Sequence, residues 1–148
     1  MSQTPSTSSS SSNFQSVIDH GADVNSWDCN YDTPLNRAAN RRHVDVVRIS
    51  LKHHADVNSH DKWGNTPLHN TVWASGFYTK ENHPRVVQLL PEHGADVDAK
   101  KIEESTPLEA TLEFKRGDIV QLLSEFRSGG VQYGFVYAMQ HWAGVMLQ

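Results

Sequence analysis

The sequence predicts an all-α repeat solenoid, in which short helix–turn–helix units stack on one another. Two recurring motifs carry this prediction. A pentapeptide with Ala-Asp-Val at its centre starts at residues 21, 54 and 94, and a Thr-Pro-Leu triplet starts at residues 33, 66 and 106. Both series advance by 33 and then by 40 residues. Two independent motifs that keep one spacing indicate a repeat array with a seven-residue insertion in its penultimate unit.

The Thr-Pro-Leu triplet predicts the start of the first helix in each unit. Thr caps free backbone N–H groups, and Pro is tolerated at the first helical position because its missing N–H is not needed there. In the last unit Glu109 follows Thr106 by three residues, which predicts a capping box. Breaks after the first helices are expected at residues 42–43, 82–83 and 116–117.

An apolar second helix is predicted after each break. Its apolar runs lie at residues 46–49, 86–90 and 119–123. Gly21 and Gly94 stand where a residue in left-handed conformation ends such a helix, and His54 takes that place in the unit between them. Pro91 falls in the last turn of its helix and is expected to shorten it.

This pattern resembles the ankyrin repeat, whose 33-residue unit carries Thr-Pro-Leu-His and closes on Gly-Ala-Asp-Val-Asn. The resemblance covers about residues 14–127. It implies stacked helix–turn–helix units joined by β-hairpin-like fingers, and a protein that binds other proteins without catalysing a reaction. Asn36 and Glu109 stand where the family usually has the His that this chain retains as His69. We therefore expect an array of degenerate repeats with modest stability.

The repeats set the predicted boundaries. They form a partial unit at 14–25 and three fuller units at 26–58, 59–98 (with the insertion near residues 75–81) and 99–127. Residues 1–13 are rich in Ser and are expected to form a disordered tail. Residues 128–148 are apolar and contain no Asp, Glu, Lys or Arg. We expect a capping helix there, with a docking or self-association surface, a membrane-surface helix or a non-native end as the alternatives.

Composition narrows the classes of function. Thirteen Lys and Arg against 17 Asp and Glu give a net charge of -4, which disfavours nucleic-acid binding. The single Cys29 excludes an intramolecular disulfide and a Cys-based zinc site, and it suits a reducing compartment. Without a signal peptide or a spanning segment, we expect an intracellular protein, cytoplasmic or nuclear. The sequence contains no catalytic or phosphate-binding motif, so we expect no enzyme, no cofactor and no metal.

Candidate binding residues follow from the resemblance. In ankyrin-like arrays, the finger tips and the outward face of each first helix form a concave surface for a partner protein. The positions carried over are Asn30, Asp32, Asn40, Arg41, Lys62, Trp63, Asn65, Trp73, Ile102, Glu103, Glu113 and Phe114. Trp63, Trp73 and Phe114 are the expected anchors, because aromatic side chains are frequent binding hot spots. The alternatives are that Trp73 packs under the insertion and that Trp63 packs along its finger.

The resemblance also implies a modification. Asn in the Asp-Val-Asn turn is a known type of hydroxylation target, and Asn25 and Asn58 match that turn, whereas position 98 is Asp. Val17 and Ser50 stand where a Leu would strengthen the match. The function predicted from the sequence is a non-enzymatic protein-binding module, an adaptor or scaffold. The alternative is a structural protein that self-assembles through residues 128–148.

Overall fold

A computed structural model describes residues 7–75, 83–113 and 116–127 of the chain. Seven helices lie in these ranges, and none of their residues belongs to a β-strand. The helices are α1 Thr7–Asp19, α2 Pro34–Arg41, α3 Val44–Lys52, α4 Pro67–Ser75, α5 His83–Glu92, α6 Pro107–Glu113 and α7 Gly117–Arg127. The predicted all-α repeat fold is confirmed.

The helices stack in two rows. The first helices of successive units, α2, α4 and α6, contact one another in order, and the second helices α1, α3, α5 and α7 form the other row. Within each unit the two helices pack together, as α2 on α3, α4 on α5 and α6 on α7. Each unit therefore completes its core against its neighbours, which is the organisation of a repeat solenoid.

One hydrophobic core runs through the stack. The Leu of each triplet is buried, with Leu35 and Leu68 fully inaccessible and Leu108 nearly so. Val47 and Ile119 bring the second helices into the same cluster. Burying a side chain of this size contributes about 2 kcal/mol, so these repeated positions hold successive units together.

The Thr of each triplet caps its helix as predicted. Its Oγ1 accepts a hydrogen bond from the N–H three residues later, at 3.2 Å in the units of α2 and α6 and 3.4 Å in that of α4. In the last unit the Glu109 carboxylate accepts from the Thr106 N–H at 2.8 Å, which completes the predicted capping box. These bonds satisfy N–H groups that a helix start leaves free.

Three of the second helices, α1, α3 and α5, are followed by left-handed residues at the predicted places. Gly21, His54 and Gly94 have φ of 91°, 62° and 90°. The expectation that Pro91 shortens α5 was wrong, because α5 continues to Glu92, one residue beyond it. A proline this close to the end removes one main-chain hydrogen bond, and the helix stops there in any case.

The amino-terminal prediction also needs correction. Residues 7–13 were expected to belong to a disordered tail, but they form the first half of α1. Phe14 and Ile18 are half-buried, and Gln15 makes a hydrogen bond to His53 of α3 at 3.0 Å between side-chain nitrogens. Once this part is anchored, a helix extends at little cost per residue, even through Ser. The insertion (beyond Ser75) and residues 128–148 lie outside the described residues.

Candidate protein-binding surface

A hairpin-like finger precedes each first helix. We define the first finger as residues 26–33, the second as 59–66 and the third as 99–106. The same backbone hydrogen bond closes each of them, N–H to C=O, from Asp28 to Asp32 at 3.1 Å, Asp61 to Asn65 at 3.0 Å and Lys101 to Ser105 at 3.2 Å. The fingers thus share the hairpin-like conformation implied by the resemblance.

Neighbouring fingers are also bonded side by side. The Lys62 N–H donates to the Asn30 carbonyl at 3.0 Å, and the Ile102 N–H lies 3.5 Å from the Trp63 carbonyl. In the second finger the Asp61 carboxylate accepts from the N–H groups of Trp63 and Asn65, each at 2.9 Å. These bonds fix the backbone that carries Trp63, so its side chain is presented from a rigid support.

Arg37 of α2 links that helix to the first finger. Its guanidinium pairs with the Asp28 carboxylate and lies 3.4 Å from that of Asp32. The hydrogen bond from Arg37 lowers the pKa of Asp28 below its usual value. Partial burial has the opposite effect on Asp32 and raises its pKa. The ion pair holds the finger against the helix row.

Six of the 12 predicted binding residues line one groove of about 390 Å³ between the fingers and the first helices. They are Asp32, Asn40, Arg41, Trp63, Asn65 and Trp73. We call this the finger–helix groove. Asn36, Arg37, Asp61 and Asn70 complete its lining. The groove therefore combines two tryptophans with amides and charges of both signs.

Both tryptophans of this groove are partly exposed. Trp63 is 54% and Trp73 37% accessible. A lysine of the chain covers each ring, since the Lys62 Nζ lies 4.3 Å from the Trp63 centroid and the Lys101 Nζ lies 4.7 Å from that of Trp73. Such cation–π contacts hold the rings in place while leaving surface for a partner.

Five of the other predicted residues (Asn30, Lys62, Ile102, Glu103 and Glu113) do not line this groove. Asn30 is at the tip of the first finger, where its Oδ1 accepts from the Lys62 Nζ at 2.6 Å. Ile102, 72% exposed, and Glu103 are at the tip of the third finger. Glu113 is exposed at the end of α6. Phe114 lies outside the described residues.

Asn25 and Asn58 join successive repeats. The Asn25 Oδ1 accepts from the Asp56 N–H at 2.7 Å, and the Asn58 Oδ1 accepts from the Asp96 N–H at 2.8 Å. At the third position, Asp98 instead forms an ion pair with Arg127 at 2.9 Å. The two asparagines thus have a structural role, and their hydroxylation stays a prediction.

Two exposed aromatic residues of the first finger are absent from the predicted binding residues. Trp27 is 66% and Tyr31 57% exposed. Both line a second groove of about 560 Å³, which we call the aromatic groove. Its other lining residues are Asn25, Thr33, Asp56, Ser59 and His60. A signal was present, because the repeat offset aligns Tyr31 with Gly64, and a large aromatic side chain is unusual at a turn position that suits glycine.

Two general features complete the description. In residues 7–75, 83–113 and 116–127, no helix has the length and apolar character required to cross a bilayer. The same ranges contain no group of three or more His, Cys, Asp or Glu side chains placed to bind a metal ion together.

The structure defines a class of protein, a helical repeat array whose fingers and first helices share an open groove. A family model of ankyrin repeats matches residues 7–101 with three copies, beginning where α1 begins. The chain belongs to the ankyrin repeat family. Ankyrin repeats are generally protein-interaction modules, and the family is generally non-enzymatic.

Curated relatives agree with this assignment. The chain is 30% identical over 87 residues to an ankyrin repeat protein of Rickettsia bellii (strain RML369-C), covering 59% of this chain and 34% of that protein. It is 35% identical over 83 residues to an ankyrin repeat protein of fowlpox virus (strain NVSL), covering 55% of this chain and 15% of that protein. The aligned part of the chain thus spans 34% or less of either relative.

Proposed function

We propose that this chain is a non-enzymatic adaptor or scaffold that holds a partner protein in the finger–helix groove. The observation that carries the proposal is the position of Trp63 and Trp73, two partly exposed tryptophans that line one groove. Tryptophan is among the residues that most often dominate binding energy at protein interfaces. The proposed compartment is the cytoplasm or the nucleus, in keeping with one free cysteine. The proposed activity needs no cofactor.

The groove supports this role because its parts are held before a partner arrives. The Asp61 carboxylate fixes the second finger, and the Arg37 ion pairs fix the first. A preorganised surface loses less conformational entropy on binding, so more of the contact energy appears as affinity. The amides of Asn40, Asn65 and Asn70 can donate and accept hydrogen bonds, which suits a peptide backbone.

Trp63→Ala tests the proposal. Ligands are selected for the full chain from a displayed library of random 12-residue peptides, and their affinities are measured by calorimetry. For ligands bound in the finger–helix groove, Trp63→Ala is expected to weaken binding by about 2 kcal/mol, because the anchor is removed. Trp27→Ala is the matched control, since it removes an exposed tryptophan that does not line this groove. The proposal fails if no selected ligand loses more than about 0.5 kcal/mol with Trp63→Ala or Trp73→Ala.

Self-assembly through residues 128–148 is the second candidate function. The observation in its favour is that these residues carry no Asp, Glu, Lys or Arg. Light scattering during size-exclusion chromatography distinguishes the two proposals, using the full chain and a chain that ends at Arg127. A full-length dimer that becomes monomeric on truncation would favour self-assembly, and a full-length monomer would exclude it.

Hydroxylation of Asn25 and Asn58 is a separate proposal about modification. Its support is their match to the Asp-Val-Asn turn of the family. Mass spectrometry of peptides from native material should show the mass of one added oxygen on these residues. Its absence from both peptides would end the proposal.

A further inference from the structure

The first finger presents aromatic surface that the finger–helix groove does not use. Trp27 and Tyr31 are 66% and 57% exposed and both line the aromatic groove. This groove shares no lining residue with the finger–helix groove. Exposed aromatic rings gathered on one open groove are typical of a binding surface rather than of a passive loop.

Tyr31 occupies its place against a conformational cost. Its φ is 60°, in the left-handed region, and the equivalent residues of the second and third fingers are Gly64 with a φ of 78° and Glu104 with a φ of 62°. Glycine adopts this conformation freely, whereas a bulky side chain is strained in it. All three fingers share this conformation, but only the first places an aromatic ring there, and the ring is exposed rather than packed in the fold.

Trp27 lacks the cation that the other described tryptophans have. The rings of Trp63 and Trp73 are each covered by a lysine ammonium of the chain, at 4.3 and 4.7 Å from the centroid. No cation of the described residues lies over Trp27, although it is the most exposed of the three. Its aromatic face is therefore open to a cation supplied from elsewhere.

The groove also provides a negative charge. Asp56 lines it and is exposed. One oxygen of this carboxylate accepts from the Asn58 N–H at 3.0 Å, and the other makes no hydrogen bond with a described residue. An open carboxylate beside aromatic faces is complementary to an ammonium or a guanidinium group. The net charge of -4 favours the approach of a basic segment over an acidic one.

We infer that the aromatic groove binds an arginine or lysine side chain from a basic segment of a partner protein. The cation lies over the face of Trp27, the Tyr31 ring flanks it, and the Asp56 carboxylate balances its charge. The backbone strain at Tyr31 is then the free-energy cost of placing an aromatic ring at the finger tip. This site is distinct from the proposed finger–helix site, so each can fail without the other.

The test uses the full chain and a displayed library of random 12-residue peptides. Clones whose peptides bind in the aromatic groove are recognised by two results. They lose binding to the Trp27→Ala variant, and they keep binding to the Trp63→Ala variant. These clones are expected to be enriched in Arg and Lys. Replacing the selected Arg or Lys by Gln should weaken a synthetic peptide at least about tenfold in fluorescence anisotropy, because the cation is lost while side-chain length is largely kept.

Two further variants separate binding from folding. Tyr31→Gly removes the ring at a position that suits glycine, so it should weaken these peptides at least about tenfold while the thermal unfolding midpoint does not fall. Asp56→Asn keeps an oxygen that can accept from the Asn58 N–H and removes the charge, so a loss of about threefold or more is expected.

Three outcomes would overturn the inference. One is that no clone depends on Trp27 and Tyr31. Another is that the dependent clones show no enrichment in Arg or Lys, and the third is that their affinity is unchanged by the Gln replacement. Clones that depend on Trp63 instead would still support the finger–helix groove, so failure of this inference is distinguishable from failure of the proposed function.

Discussion

In the part of the chain that the structure describes, the second and third units (residues 26–58 and 59–98) each contain a finger and two helices, but their equivalent positions carry different residues. At the tip of the finger the third unit has Gly64, and the second unit has Tyr31. At the position after the Thr-Pro-Leu triplet the third unit has His69, and the second unit has Asn36. In both pairs the third unit contains the residue that suits the local structure.

His69 shows what the third unit gains. It is fully buried, its Nε2 donates to the Ser105 carbonyl at 3.0 Å, and its Nδ1 lies 2.9 Å from the Thr66 hydroxyl. The bond to the carbonyl places the ring proton on Nε2, so Nδ1 is the acceptor. The imidazole therefore joins the helix start of its own unit to the finger of the next.

At the equivalent position of the second unit, Asn36 makes a weaker connection to the next finger. Its Oδ1 accepts from the Ser59 hydroxyl at 3.4 Å, but its buried Nδ2 has no hydrogen-bond partner among the described residues. A buried donor without a partner destabilises a fold by about 1–3 kcal/mol. Together with the backbone strain at Tyr31, this buried donor indicates that the second unit is locally less stable than the third. The strained position is also where the first finger presents an aromatic ring.

The largest expected effect is at His69. His69→Asn should lower the free energy of unfolding by about 3 kcal/mol, because both bonds of the buried ring are lost. The substituted Asn would also lack the hydroxyl that Asn36 uses, since Ala99 takes the place of Ser59 in the next unit. Urea unfolding measures the change, and His60→Asn at an exposed position is the control. A loss below about 0.5 kcal/mol would show that the bridge contributes little.

Gly64→Ala should have the next largest effect. At a φ of 78°, an added Cβ would lie 2.9 Å from the Ile102 nitrogen of the neighbouring finger. Backbone strain and this contact should together lower the free energy of unfolding by about 2 kcal/mol. Gly21→Ala is the matched control, because its φ is 91° and nothing lies within 4 Å of its added Cβ. Equal losses in the two variants would contradict the close approach of the fingers.

The smallest expected effect is a dependence on pH. Burial lowers the pKa of His69, so the ring stays neutral in the fold, while the unfolded chain binds a proton near the usual value of 6.5. Stability from this residue is therefore present above pH about 6.5 and is lost as the pH falls below it. The urea concentration at the midpoint of unfolding should be measured at several pH values. As the pH is lowered, it should decrease more steeply for the natural chain than for the His69→Asn variant. Parallel curves would contradict the burial of a neutral imidazole.

Local patterns predicted much of the fold. The Thr caps, the break at residues 42–43 and the left-handed Gly21 and Gly94 follow from residues within a few positions of each other. The start of α1 could not be predicted in this way. The helix α1 packs on α3, where Gln15 contacts His53, and these residues are distant in sequence.

The candidate binding surface was less predictable than the fold. Transfer of positions from the family located Trp63 and Trp73, which do line one groove. It missed Trp27 and Tyr31, because the groove that they line also includes residues of the second finger. The backbone bond from the Lys62 N–H to the Asn30 carbonyl holds these two fingers side by side. The alignment of Tyr31 with Gly64 in the repeat is the feature of the sequence that could have indicated this groove.

We infer that the second unit loses stability at two positions, Tyr31 and Asn36, where the third unit does not. Urea unfolding of the double variant Tyr31→Gly/Asn36→His tests it most directly, because both positions then carry the residues of the third unit. The free energy of unfolding is expected to rise by about 1.5 kcal/mol, with an unchanged dependence on urea concentration. A double variant that is no more stable than the natural chain would contradict the claim.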